Sequence, residues 1–183
     1  MDNDMPAADT DRSPAADDHR PESSHPCLDA DGMREFAGQF ATGVSVITAC
    51  DARDVCCGLT VNAVTSLSLD PPLYLACLDN DSNTLAAVRD SGAFGVNLLR
   101  AEQRDVSDRF AGKGPDKFEG IGYRRGHLGV PVLTGTLASA VCRVAYLLPG
   151  GDHHIVVGTP ETYEVGGGRP LLYFRGRYLD GES

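Results

Sequence analysis

The strongest constraint on how this chain can fold is a pair of long segments near its C-terminal end. Ala138, Ala140, Cys142, Val144, Tyr146 and Leu148 recur at every second position, Gly150 and Gly151 follow, and residues 153–165 continue with strand-like composition. Successive strand side chains point to opposite faces, so this period implies a strand buried on one side. The glycine pair implies a tight reversal into an antiparallel partner. Two more strands are expected at residues 171–174 and 177–179, which makes the last third almost wholly β.

The earlier chain breaks into short pieces. Asp31 is a candidate helix N-cap, and Met33, Phe36, Ala37 and Phe40 follow at the spacing of one apolar helical face, with Gly43 as its end. Strands are expected at 44–50 and 55–62 with a turn at 51–54, and again at 73–78 after the stop imposed by Asp70-Pro71-Pro72. Ser82 can cap a helix to Ser91 that turns Leu85 and Val88 inward and closes at Gly92. A strand at 93–99 and a helix at 101–111 burying Val106 and Phe110 precede a glycine- and charge-rich stretch, 112–120, expected to be a mobile loop. Strands without regular βαβ alternation favour an antiparallel barrel over a doubly wound sheet.

Residues 1–30 are rich in Asp, Pro, Ser and Ala and hold eight acidic and two basic side chains, about −6 of the net −10. Such a segment buries too little apolar surface to offset its ordering entropy and is expected to be a disordered acidic tail. Residues 31–183 then form one domain. The acidic balance argues against nucleic acid, since no Lys/Arg cluster is available to neutralise phosphates. No run approaches the roughly 18 apolar residues of a membrane span, and the acidic N-terminus has no apolar signal region, so a soluble, cytoplasmic chain is expected. The six cysteines (27, 50, 56, 57, 77 and 142) include no C-x-x-C pair, so reduced thiols are expected rather than a zinc site.

Phosphate loops of the G-x-G-x-x-G and G-x-x-x-x-G-K-[ST] types, the H-E-x-x-H zinc motif and the G-x-S-x-G nucleophile elbow are all missing. The informative stretch is Gly58-Leu-Thr-Val-Asn-Ala-Val-Thr-Ser-Leu-Ser-Leu-Asp-Pro-Pro. Thr60, Asn62, Thr65, Ser66 and Ser68 put donors and acceptors into an otherwise apolar strand–loop–strand. That suits a flat hydrogen-bonding ligand or a phosphate; composition alone equally allows a serine- and threonine-rich edge strand.

This stretch resembles the signature of the flavin reductase-like, FMN-binding split-barrel family, the reductase components of two-component flavin-dependent monooxygenases. Further pieces match in order: Phe40-Ala-Thr-Gly-Val-Ser-Val-Ile-Thr, Ser82-Asn-Thr, Ser91-Gly-Ala-Phe-Gly-Val-Asn, Arg109-Phe-Ala with Asp116-Lys-Phe, Gly151-Asp-His-His-Ile-Val-Val-Gly, and Pro170-Leu-Leu-Tyr-Phe-Arg-Gly-Arg-Tyr. They span Met33 to Leu179. The family pattern departs at Ala63, where serine is common, and at His154, where threonine is.

The resemblance implies a six-stranded antiparallel Greek-key split barrel that dimerises, with FMN or FAD near the subunit interface as cofactor or substrate. It places Thr60, Val61, Asn62, Ala63 and Ser66 along the ring and ribityl chain, and Cys77, Leu78, Ser82 and Thr84 toward the phosphate. Phe110, Ala111, Lys117 and Phe118 would close over the flavin. Asp152 and His153 would hold the nicotinamide of NADH or NADPH, with His153 the candidate catalytic residue; the pair equally suits a turn-capping Asp152 with surface histidines. Arg175 would meet a pyrophosphate or pair with a barrel carboxylate. The implied activity is NAD(P)H-dependent reduction of flavin for a separate oxygenase, by hydride transfer to flavin N5. A split-barrel oxidase holding FMN tightly and a non-catalytic flavin-binding redox module are the alternatives.

Overall fold

The computed structural model describes residues 28–114 and 116–179. In chain order the elements are α1 (Ala30–Gly38), β1 (Thr42–Gly43), β2 (Ser45–Cys50), β3 (Cys56–Val61), β4 (Val64–Leu69), β5 (Pro72–Asp79), α2 (Asn83–Ser91), β6 (Ala93–Leu98), α3 (Arg104–Ala111), β7 (Tyr123–Arg125), β8 (Pro131–Leu133), β9 (Ala138–Gly150), β10 (His153–Val165), β11 (Leu172–Phe174) and β12 (Arg177–Leu179). The protein is mainly β with a few short helices. Seven strands form one antiparallel sheet in the order β3-β2-β6-β9-β10-β5-β4; β1, β11 and β12 form a small second sheet, and β7 pairs with β8.

The long hairpin anticipated from the alternation is β9–β10, paired from His153 opposite Gly150 to Val165 opposite Ala138. Its ladder shifts register near Gly158 and again near Pro160. The expected count of six strands in one barrel is not what the ladder shows. Residues 64–69 pair with β5 as the serine- and threonine-rich edge strand that composition allowed beside the strand–loop–strand reading, and the seven-stranded ladder is open between β3 and β4.

Those two outer strands are joined by Asn62 and Ala63 alone. Three Cα steps reach at most about 11 Å, whereas a flat sheet would hold the edges roughly 29 Å apart. The sheet therefore curls until its edges face each other without pairing. Inside the curl lie Ile47, Leu78, Phe94, Val96 and Val156, with Leu85, Ala87 and Val88 of α2 closing the core from one end. A second cluster on the opposite face of β2 packs Val46, Leu99, Val106, Phe110 and Leu171.

Helix α2 matches its expected limits. The Ser82 hydroxyl accepts from Leu85 N at 3.2 Å, and Gly92 ends the helix at φ 66°. Helix α1 departs from its expected limits at both ends. Its N-cap is Asp29, whose carboxylate accepts from Gly32 N, in place of Asp31, and it stops at Gly38 because Gly43 belongs to β1. Its apolar residues are not a core face, since Phe36 is 68% and Phe40 76% exposed. The five described cysteines are free thiols. The expected tail lies, through residue 27, outside the described residues.

Candidate functional site

Strand β3 forms one wall of two adjoining hollows. Its first half, Cys56 to Leu59, lines a cleft of about 530 Å³ together with Asp79, Asp81, Ser82, Thr84, Lys113 and Lys117. Thr60, Val61 and Asn62 line a second hollow of about 220 Å³, walled by Val44, Tyr173 and Tyr178. Ala111, at the end of α3, belongs to both. Together they make an elongated trough along the open edge of the curled sheet.

The two ends of the trough differ chemically. At the larger end, α2 presents its first turn. Asn83 and Thr84 occupy its first positions, where backbone N–H groups have no intrahelical acceptor and favour an anion, while the Asp79 and Asp81 carboxylates share the same cleft. The Ser82 hydroxyl donates to Asp79 O at 2.8 Å while accepting from Leu85 N, which fixes that terminus. The smaller end is aromatic. Tyr173 and Tyr178 are directly opposed in the β11–β12 hairpin with rings 5.4 Å apart, and the Tyr178 hydroxyl bonds Ser107 Oγ at 2.8 Å.

Between the ends, β3 is locked to α3. Thr60 Oγ1 donates to Ser107 O at 2.7 Å. Gly58 lies beneath the Phe110 ring so closely that a Cβ there would sit 2.5 Å from Phe110 Cε1. Phe110 in turn meets Phe118 edge-on, centroids 5.0 Å apart. Lys117 Nζ donates to Gly58 O at 3.1 Å and to Phe110 O at 2.9 Å, joining β3 to the end of α3. Partial burial lowers the pKa of that ammonium.

The structure sorts the anticipated residues into groups. Thr60, Val61, Asn62, Ala111, Lys117, Ser82 and Thr84 line the trough. Ala63 connects the facing edge strands, and Ser66 stands exposed on β4. Leu78 and Phe110 are fully buried, so their side chains belong to the two cores and offer no surface to a ligand. Cys77 is half-buried on the opposite face of β5 from Leu78, paired with Ile155. Phe118 supports Phe110 and lines neither hollow.

His153 is cross-strand from Asp79 of the large cleft, and its Nδ1 lies 2.7 Å from Asp152 Oδ1. That contact holds the Asp152 carboxyl below its usual range. Alternation puts His154 on the other face, where Arg89 Nη2 approaches its Nε2 at 2.9 Å and Asn80 Oδ1 its Nδ1 at 2.5 Å. Arginine can only donate, so Nε2 accepts and Nδ1–H donates. His154 is thus occupied by structure, while His153 is half-exposed and, like Asp152, lines neither hollow. Arg175 pairs with a side-chain amide where a barrel carboxylate was one of its expected partners. Its guanidinium donates to Gln39 Oε1 at 2.9 and 2.6 Å and lies over the Phe174 ring.

The family model described as flavin reductase like domain matches residues 37–182. The chain belongs to that family. It is 44% identical over 154 residues to the flavin-dependent monooxygenase reductase subunit HsaB of Mycobacterium tuberculosis, covering 82% of each chain. Its fold superposes on nitrilotriacetate monooxygenase component B from Mycobacterium thermoresistibile with a TM-score of 0.77 at 39% identity, covering 81% of this chain and 84% of that one. Another similar structure is the NADH:FAD oxidoreductase SgcE6 of Streptomyces globisporus in complex with NAD and FAD fragments, with a TM-score of 0.78 and 31% identity over 82% of this chain and 92% of that one.

Several lining residues of this family member were not singled out from sequence: Val44, Tyr173, Tyr178, Asn83 and Lys113. The tyrosines carried a readable signal. They form the second pair out from a two-residue turn, Arg175-Gly176, with φ of 48° and 78°, beyond the flanking pair Phe174 and Arg177. Lys113 had none beyond its charge.

Proposed function

We propose that this chain is an NAD(P)H-dependent flavin reductase that supplies reduced FMN or FAD to a separate flavin-dependent oxygenase. The observation that carries this reading is the trough itself, with an anion-accepting helix terminus at one end and an apolar, tyrosine-walled hollow at the other. A flavin has that polarity, a planar apolar ring joined by a polar chain to a phosphate. The donor set fits it: backbone N–H groups of Asn83 and Thr84 for the phosphate, and the exposed edge of β3 at Thr60 and Asn62 for the ring. The names of the relatives support the same activity and the oxygenase partner.

Bound flavin supplies a carrier that accepts a hydride from the nicotinamide. The chain contributes orientation and shape. Lys117 braces β3 against the end of α3, and Tyr173 and Tyr178 wall the ring end. His153, half-exposed and cross-strand from Asp79, is the residue assigned to hold the nicotinamide. No side chain acts as nucleophile.

The closure of the sheet is best understood as the family's six-stranded Greek-key split barrel, with β4 as the strand that splays from it. A homodimer is part of this reading. Leu148, Ile155 and Cys77 share one face with Tyr146, Val157 and Leu75, and Tyr146 is 58% and Leu148 49% exposed. This apolar strip borders His153, so a partner there would shelter the nicotinamide side of the site. Among the described residues no helix is long and apolar enough to cross a membrane, which accords with a cytoplasmic protein.

The deciding assay is oxidation of NADH or NADPH with added FMN, FAD or riboflavin. Turnover should rise with flavin concentration, and no stimulation over a flavin-free blank refutes the reductase. His153→Ala should raise the nicotinamide KM more than the flavin Kd. An unchanged nicotinamide KM removes His153 from the site.

A further inference from the structure

At the end of the β2–β3 hairpin, where β3 enters the large cleft, two thiols face each other. Cys50 and Cys56 are the last opposed pair of the ladder, and their Sγ atoms are 3.5 Å apart. The neighbouring pair, Asp51 and Val55, is joined by an Asp51 N to Val55 O hydrogen bond. Hydrogen-bonded and non-hydrogen-bonded pairs alternate along an antiparallel ladder, so Cys50 and Cys56 form a non-hydrogen-bonded pair, with Cα atoms about 4.5 Å apart. That spacing falls inside the roughly 4.4–6.8 Å that a disulfide spans.

The surroundings differentiate the two sulfurs. Cys56 is half-buried and lines the cleft, whereas Cys50 is 9% exposed. Burial and the Cys56 neighbour push the Cys50 thiol up to about 12. Arg125 Nη1 donates to Cys50 Sγ at 2.6 Å and is itself anchored on Gly129 O and the Asp54 carboxylate. A fixed guanidinium against a buried sulfur is arranged to receive negative charge there. Cys57, although adjacent, sits opposite Ala49 and points to the other face of the strand.

We propose that Cys50 and Cys56 are a redox modification site, a cross-strand dithiol that hydrogen peroxide converts to a disulfide at the mouth of the cleft. The Cys56 sulfur attacks the peroxide; the O–O bond breaks, an S–O bond forms, and one water leaves with Cys56 as a sulfenic acid. The Cys50 sulfur then displaces that hydroxyl. The S–S bond forms, the S–O bond breaks, and the Cys50 proton departs with the hydroxyl as a second water. The two sulfurs lose two electrons, which reduce one peroxide to two waters. Arg125 stabilises the thiolate that Cys50 becomes as its proton leaves, before the S–S bond forms. That peroxide arises beside this cleft, from reduced flavin meeting oxygen, rests on the reductase reading; the dithiol chemistry does not.

The test adds hydrogen peroxide directly to the reduced, flavin-free full chain and so is independent of reductase activity. The expected result is loss of two alkylatable thiols and of about 2 Da, restored by dithiothreitol. Trypsin separates the partners, because Arg53 lies between them: Cys50 falls in residues 35–53 and Cys56 in residues 54–89. A cross-link between these peptides should persist in Cys57→Ser and vanish in both Cys50→Ser and Cys56→Ser. A link that survives Cys56→Ser, one that captures Cys27 in residues 13–34, or conversion of unlinked wild-type cysteines to sulfinic acid overturns the proposal.

Discussion

Gly58→Ala probes the contact that holds β3 to α3. A Cβ at this position would sit 2.5 Å from Phe110 Cε1 and 2.6 Å from Cδ1, whereas carbon atoms rest about 3.5–4.0 Å apart. The ring must therefore retreat by about 1 Å, yet Phe110 is fully buried, and Phe118 packs against it. Overpacking of this kind costs about 1–3 kcal/mol, and in a chain of this length each kcal/mol lowers Tm by about 2–4 °C. The displaced ring also pulls on Phe110 O and Gly58 O, the two acceptors of Lys117, so flavin binding should weaken along with stability. Chemical denaturation of Gly58→Ala, Phe110→Leu and the double variant separates crowding from other effects. Leucine leaves space that the alanine methyl occupies, so the double variant should be more stable than the sum of the single changes by about 1 kcal/mol or more. Strict additivity, or a Gly58→Ala protein as stable as wild type, refutes the close-approach account.

Ser82→Asp preserves an N-cap acceptor for Leu85 N but sets a negative charge where the phosphate is read to bind. Steady-state kinetics should show a raised KM for FMN with riboflavin little affected, and an equal effect on both flavins removes the phosphate from α2. Ser82→Ala loses the cap and should cost about 0.5–2 kcal/mol in denaturant unfolding. Asp51 accepts from Val55 N at 2.8 Å and Arg53 N at 2.9 Å, and the Val55 contact foremost holds its carboxyl below the usual range. A depressed carboxyl stabilises the fold above its unfolded pKa and loses that contribution as pH falls through the folded one. Thermal melts of Asp51→Asn should therefore show a shallower loss of stability on acidification below the ordinary carboxylate range than wild type.

Sequence pattern revealed the elements whose signals are local. The β9–β10 hairpin followed from alternation and a glycine pair, and α2 from a serine cap, an inward Leu85 and Val88, and Gly92. What stayed hidden depends on distant partners. The segment 64–69 precedes two prolines, and its composition allowed either a loop or an edge strand; only β5, by supplying its pairing, decides for β4. The face of α1 has helical spacing, but no described part of the chain buries it, and periodicity cannot report what is absent on the other side. Thr60 shows the same limit within the site. Its type suggested a ligand contact, while its hydroxyl is given to Ser107 O, so what it leaves to a ligand is backbone.

That last point explains how polar side chains can shape the trough without facing it. Thr60, Lys117 and Ser82 each direct their polar atoms toward the protein, fixing β3, the end of α3 and the start of α2. The groups left facing the trough include main-chain atoms of β3 and of the first turn of α2, held by those side chains and cheap to pre-order, beside the side chains of Asp81 and Lys113. A ligand gripped through backbone atoms and shape is positioned without being locked by many charged contacts. That property suits a flavin that must enter oxidised and leave reduced, and it makes the side chains behind the wall better targets for altering affinity than those on its surface.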